Sequence, residues 1–325
     1  MSPAASRPSG HVPDPGVTRH DGSPVDPQDW FFFPPPEAIK PLRSAQSSLR
    51  KDMPAPKPSR RTTLGVVVAL LGAGAGWLIT VLGDVHSDFW FWFWIIPPTG
   101  LGFLVGAAAP PSIFEVCTYV GKNGAALMRT DGLVTDPPEE QVLLYDQADE
   151  AFLDVYPKRI GRYNRMLYSM DWYQNGVKVF SLEGEYNRKA RHVAGSADGL
   201  DFAEAVERAW SEDKLGPLML ALEQGQPARF RTSSLEMELA RDVLRLGWRD
   251  GDVRWKTGEV ASVQSVDVRV GGFVFPRIEI RPVKPAEKGC CPHPVEVQDG
   301  ALRIPYDVVP NARLFILAAR RVLGV

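Results

Sequence analysis

The chain has 325 residues, with 37 lysines and arginines against 39 acids, a net charge of −2 and only three cysteines. A charge balance this close to neutral argues against nucleic-acid binding through excess basic charge. Two of the cysteines, Cys290 and Cys291, are adjacent, which argues against a disulfide framework and for a reducing compartment.

Residues 1–61 read as a disordered, Pro/Ser-rich and basic N-terminal arm. Ser, Pro, Gly and Asp dominate Met1 to Pro27 without apolar periodicity, so this stretch is expected to be disordered. Trp30, Phe31, Phe32 and Phe33, ahead of a triple proline, form a candidate docking motif. It could enter a partner's groove, lie at a membrane interface, or fold back on its own chain. Lys40, Arg43, Arg50, Lys51, Lys57, Arg60 and Arg61 then stand against a single acid, Asp52.

Residues 62–110 hold two long apolar runs, 64–82 and 89–109, without lysine or arginine. Each is close to the ~20 residues that a membrane-spanning helix requires. The short link between them carries Asp84 and Asp88, so the runs predict a transmembrane helical hairpin. The basic arm places both termini in the cytoplasm. Six consecutive aromatics from Phe89 to Trp94 suit an interface, and Pro97-Pro98 predicts a bent second helix. Gly72 with Gly76, and Gly102 with Gly106, are small-xxx-small pairs that could pack the hairpin or join two protomers. Neither run contains an ionisable residue, which favours an anchor over a conduit.

From residue 111 onward the pattern turns β-rich. Strands are expected over 114–120, 125–129, 141–145, 166–172 and 177–183, with Asn175-Gly176 as a hairpin turn. A helix is predicted over 201–210, capped by Asp201, with a short further piece over 217–224. The second stretch repeats this plan: strands over 228–232, 235–240, 243–248 and 253–255, with 235–246 also readable as a helix. A hairpin then turns at Gly271-Gly272, and an amphipathic helix begins after Asn311.

Strands and hairpins closed by one helix, twice in succession, is the layout of pleckstrin-homology-like (PH-like) domains. The fragments CTYVGKNGAALMR, EQVLLYDQADEAF, YSMDWYQNGVKVFSLEG and DFAEAVERAW, with VRWKTGEVASVQSVDVRVGGFVFPRIEI and IPYDVVPNARLFILAARRVL, resemble a family of uncharacterised bacterial two-helix membrane proteins with PH-like cytoplasmic domains. The resemblance covers about two thirds of the chain. Together with the runs it implies an α+β chain: a transmembrane hairpin, then a β-rich cytoplasmic region of two tandem PH-like domains, 111–225 and 226–325. The implied location is the bacterial inner membrane, as a multi-pass protein.

No HExxH, Walker-type or GxSxG motif and no CxxC pair occurs, so no catalytic residue, cofactor or metal is expected. Cys290, Cys291 and His293 fall short of a four-ligand site. Asp146, Asp149, Glu150 and Asp154 lack EF-hand spacing and read as a solvated acidic face. Lys158, Arg159, Arg162 and Arg165 are candidates for binding anionic lipid or an acidic partner, or form a basic loop paired with those acids. The expected function is a non-enzymatic, membrane-anchored scaffold or sensor that binds a protein partner or lipid. The alternative is a subunit of a transport or signalling complex whose hairpin is the working part; homo-oligomerisation stays open.

Overall fold

The computed structural model describes residues 13–25, 33–48, 115–130, 138–160, 163–186, 199–231, 234–249, 251–270, 273–287, 291 and 294–325. Apart from Glu115 and Thr130 at strand ends, these residues belong to one compact unit.

β1 (Leu42–Ser47), β2 (Glu115–Gly121), β3 (Gly124–Thr130) and β4 (Glu139–Leu144) form one sheet in the order β1-β2-β3-β4. β5 (Glu150–Ile160), β6 (Tyr163–Gln174) and β7 (Val177–Glu185) form a second, and α1 (Leu200–Glu223) follows. The plan then recurs. β8 (Ala228–Arg231), β9 (Glu236–Leu239), β10 (Val243–Trp248) and β11 (Gly251–Lys256) make a third sheet. β12 (Val260–Val270), β13 (Phe273–Pro282), β14 (Glu296–Gln298) and β15 (Ala301–Pro305) make a fourth, in the order β12-β13-β15-β14, before α2 (Ala312–Leu323).

Period-two burial positions these strands. Ala151, Leu153 and Val155 on β5 and Tyr168, Met170 and Trp172 on β6 turn inward, as alternation across a pleated strand requires. Their cluster continues through Phe202, Val206 and Trp210 of α1 to Leu244, Ile278, Ile304 and Phe315, so one apolar core runs through both halves. Each such large side chain, fully buried, stabilises the fold by roughly 1.5–3 kcal/mol. A smaller cluster of Phe33, Ile39, Ala45, Cys117, Tyr119, Ala126 and Met128 sits on the other face of the first sheet.

Several expectations change. The transmembrane hairpin over 62–110, with its spans 64–82 and 89–109 and its glycines Gly72, Gly76, Gly102 and Gly106, lies outside the described residues. Among those residues no helix is long and apolar enough to cross a membrane. α1 has 24 residues but carries charges from Asp201 to Glu223, and α2 has only 12. The α+β chain built around a helical hairpin is therefore corrected to a mostly β fold, with four antiparallel sheets and two α-helices among the described residues. The two-span membrane partner and the multi-pass inner-membrane location are corrected to the same extent: no helix among the described residues supports either.

Within the arm expected to be disordered, residues 42–47 are a strand paired with β2. The helix expected in two pieces is continuous through Pro217. That proline and Asp213 four residues before it are exposed, so water can take the carbonyl that loses its partner. Within 235–246, residues 236–239 and 243–246 lie in strands, as first expected, and not in the alternative helix. Asn311 does not cap α2 with its side chain; Oδ1 instead accepts the Ala151 amide at 2.7 Å, tying α2 to β5.

Candidate functional site

The basic cluster belongs to a long hairpin, not to a loop. β5 and β6 pair from Glu150↔Tyr173 out to Ile160↔Tyr163, with Lys158 opposite Arg165 and Arg159 opposite Asn164. Because Leu153 and Val155 face inward, Lys158 lies on the outer face of this sheet, and Arg159 on the other. The distal end of the hairpin thus presents Lys158 and Arg165 side by side, both exposed. Arg162 lies outside the described residues.

Like charges directly opposite on paired strands repel by some tenths of a kcal/mol. Arg165 is partly offset by Glu185 on β7 at 3.1 Å, an exposed pair worth about 0–1 kcal/mol. Lys158 has no ion-pair partner among the described residues. No ion pair joins the acids expected to neutralise this cluster to it among the described residues. Asp149 accepts the Asn175 amide at 3.0 Å, and Asp154 lies nearer the middle of β5, its carboxyl raised by burial and by Asp307. Asp171 pairs with Lys178 at 3.0 Å and accepts Ser181 Oγ at 2.6 Å. Asp154 of β5 and Asp171 of β6 thus lie away from the tip, where Lys158 and Arg165 stand.

Of the aromatic motif, Trp30, Phe31 and Phe32 lie outside the described residues, while Phe33 is buried against the first sheet and its carbonyl accepts the Tyr119 hydroxyl. Cys290 and His293 are likewise outside; Cys291 is half-buried against the core. Among the described residues no group of three or more His, Cys, Asp and Glu is placed to hold a metal.

Two polar clusters escaped the sequence. His20, in the proline-rich arm, is buried between Ser44 Oγ at 2.8 Å and Thr118 Oγ1 at 2.9 Å, beside the Phe202 ring. The Thr118 hydroxyl donates to the Gln46 carbonyl, so it accepts from His20 Nε2–H and leaves Nδ1 to accept from Ser44. Burial lowers the His20 pKa to about 3, against a smaller opposing pull from Asp21. The second cluster joins the buried Glu207 of α1 to Tyr306, 99 positions away. A histidine in a polar stretch and a glutamate on a helix face carry no local signature of such burial.

No protein-family model matches the chain, and no curated protein matches it as a relative.

Proposed function

We propose that this chain is a non-enzymatic binding module that engages an acidic surface of a protein partner through the distal end of the β5–β6 hairpin. One observation carries the reading: Lys158 and Arg165, two exposed cations, stand opposite each other at the hairpin end, and the one carboxylate paired there, Glu185, reaches Arg165 from the far side. An acidic partner removes that repulsion and gains two charge-assisted contacts on rigid strands. The resemblance to PH-like domains supports binding over catalysis, and so does the recurrence of two sheets and a closing helix across 111–225 and 226–325.

The test is a photocrosslinking side chain at position 158 of the full-length protein in cells, with an equivalent at exposed Val283 as control. The expected result is adducts to a protein with an acidic surface, specific to position 158, lost on Arg165→Glu and weakened by salt. Adducts indifferent to Arg165→Glu, or equal yield from position 283, would overturn the proposal. So would charge-dependent capture of anionic vesicles with no protein adduct.

A further inference from the structure

β11 closes one end of the third sheet. It pairs with β10 from Val243↔Lys256 to Trp248↔Gly251, and among the described residues no strand pairs with its other side. An open edge of this kind is a template for another chain, and proteins usually blunt it with proline, a bulge or charge. β11 contains no proline, and its register with β10 is unbroken. Only its charges remain to guard it.

The backbone shows which groups that edge presents. The Thr257 amide donates to the Asp242 carbonyl at 3.0 Å, so 257 and 242 are a hydrogen-bonded pair. Such pairs alternate along antiparallel strands, so Gly251, Val253 and Trp255 turn their amides and carbonyls to β10, while Asp252, Arg254 and Lys256 turn theirs to the open edge. Glu259 Oε2 caps the Lys256 amide there at 2.8 Å. The amides of Asp252 and Arg254 have no such cap among the described residues.

The side chains of these two residues are unevenly matched. Arg254 faces Arg245 across the pair of strands, and both donate from Nε to one oxygen, Asp252 Oδ2, at 2.9 Å and 2.7 Å. One carboxylate thus serves two guanidiniums. The Arg254 side chain is 66% exposed, open to a further acid.

We propose that a second copy of this chain pairs at this edge, β11 against β11 and antiparallel, with Asp252 of each copy opposite Arg254 of the other and Val253 on the two-fold axis. Sliding the strands sets Asp252 against Asp252, Arg254 against Arg254 or Arg254 against Lys256, and like charges directly opposite repel. Registers that use Lys256 also need the amide that Glu259 already caps. The Asp252–Arg254 register avoids these clashes, satisfies the open amides and carbonyls of both residues in both copies, and brings each Arg254 a second carboxylate. A two-fold pair needs only one surface that complements itself, and β11 has it. The contact is narrow, below the ~1,200 Å2 of stable interfaces, so the dimer is reversible.

The experiment is sedimentation velocity of the full-length protein over a concentration series reaching the millimolar range, with Tm as the check on folding. The parent is expected to rise from the 35.9 kDa of one chain toward twice that mass. Arg254→Asp and Asp252→Arg, each alone, set like charges opposite each other and should weaken association about tenfold or more. Mixed together, the two variants are complementary and should associate as the parent does; so should the double variant carrying both changes. If either single variant does not fold, the double variant decides. A parent that stays monomeric, a dimer that a folded Arg254→Asp leaves intact, or a folded double variant that stays monomeric overturns the proposal. The hairpin crosslink is read at position 158, on another sheet, and is independent of every one of these outcomes.

Discussion

The Tyr306 hydroxyl donates to a Glu207 carboxylate oxygen at 2.7 Å, with both residues buried, and joins the turn before α2 to the middle of α1. Beneath it, Phe315 of α2 belongs to the same apolar cluster as Trp210 and Phe202 of α1. The closing helices of the two halves therefore share one core, and a buried hydrogen bond ties α1 to the turn that leads into α2. A hydrogen bond to a charged group in such surroundings is stronger than a neutral one, and its loss is felt in full because water cannot replace it.

Tyr306→Phe keeps the ring packing and removes only that donor. It is expected to lower stability by about 1–3 kcal/mol, the cost of an unmet buried polar group. In urea the midpoint should fall while the slope stays constant, since the surface exposed on unfolding is the same. Glu207→Gln retains an acceptor oxygen for Tyr306 and should cost less. A Tyr306→Phe protein as stable as the parent would show that the bond contributes nothing.

His20 gives the fold an acid limb. Its unfolded pKa is near 6.5 and its folded value about 3, so between those values the unfolded chain holds a proton that the folded chain does not. Its contribution is complete above about pH 6.5 and is lost as pH falls toward 3, at up to about 1.4 kcal/mol per pH unit. Denaturation curves from pH 7 to pH 4 should show this slope in the parent. In His20→Gln, whose amide still reaches one hydroxyl, the slope should flatten and the pH 7 stability fall modestly. Equal slopes in the two proteins would mean that His20 already accepts a proton in place.

What the sequence made legible was local. Asn175-Gly176 predicted a hairpin turn, and both residues have the positive φ that such a turn demands, 51° and 78°. The basic residues of the hairpin were visible as charge. β1 was not: in Leu42-Arg43-Ser44-Ala45-Gln46-Ser47 only two residues are apolar, and its partner β2 lies some seventy positions away, Ser47 opposite Cys117. β5 alternates Ala151, Leu153 and Val155 inward, but Asp154, Pro157, Lys158 and Arg159 gave the segment the look of a charged loop. Glu207 and Tyr306 meet only because two closing helices pack together, a relation that no window of sequence contains.

Glu279 on β13 concentrates the other buried charge. It is 2% exposed and accepts from Arg303 at 3.0 Å, Arg281 at 3.2 Å and Gln264 at 3.3 Å. Burial alone would raise its pKa, but these three donors more than offset it and hold it below the ordinary glutamate value. Its stabilising contribution is therefore complete above the unfolded pKa near 4.5 and fades as pH falls through the lower folded value. Arg303→Met should cost about 2–3 kcal/mol at pH 7, less than the ~3–5 typical of a buried charge stripped of its partner, because Arg281 remains. The deficit should shrink in acid as Glu279 protonates. A deficit that stays constant to pH 3 would assign it to packing instead.

The ends of the connection between β1 and β2 adjoin. Ser47 pairs with Cys117, the Ser48 amide donates to the Val116 carbonyl at 2.9 Å, and the Val116 amide donates to Ser48 Oγ at 2.8 Å. Two antiparallel strand ends this close need only a short turn to join them. Replacing residues 49–114 with a four-residue glycine-containing turn is therefore expected to leave the described fold intact. Shortening the connection reduces its closure entropy, which falls by about 0.6 kcal/mol per halving, so the shortened protein should be more stable by up to about 2 kcal/mol. In the NMR spectrum the indole resonances of buried Trp172 and Trp210 should keep their parent positions, although residues 49–114 carry four of the nine tryptophans. A chain that loses this spectrum would show that the β1–β2 pairing depends on contacts from the removed residues.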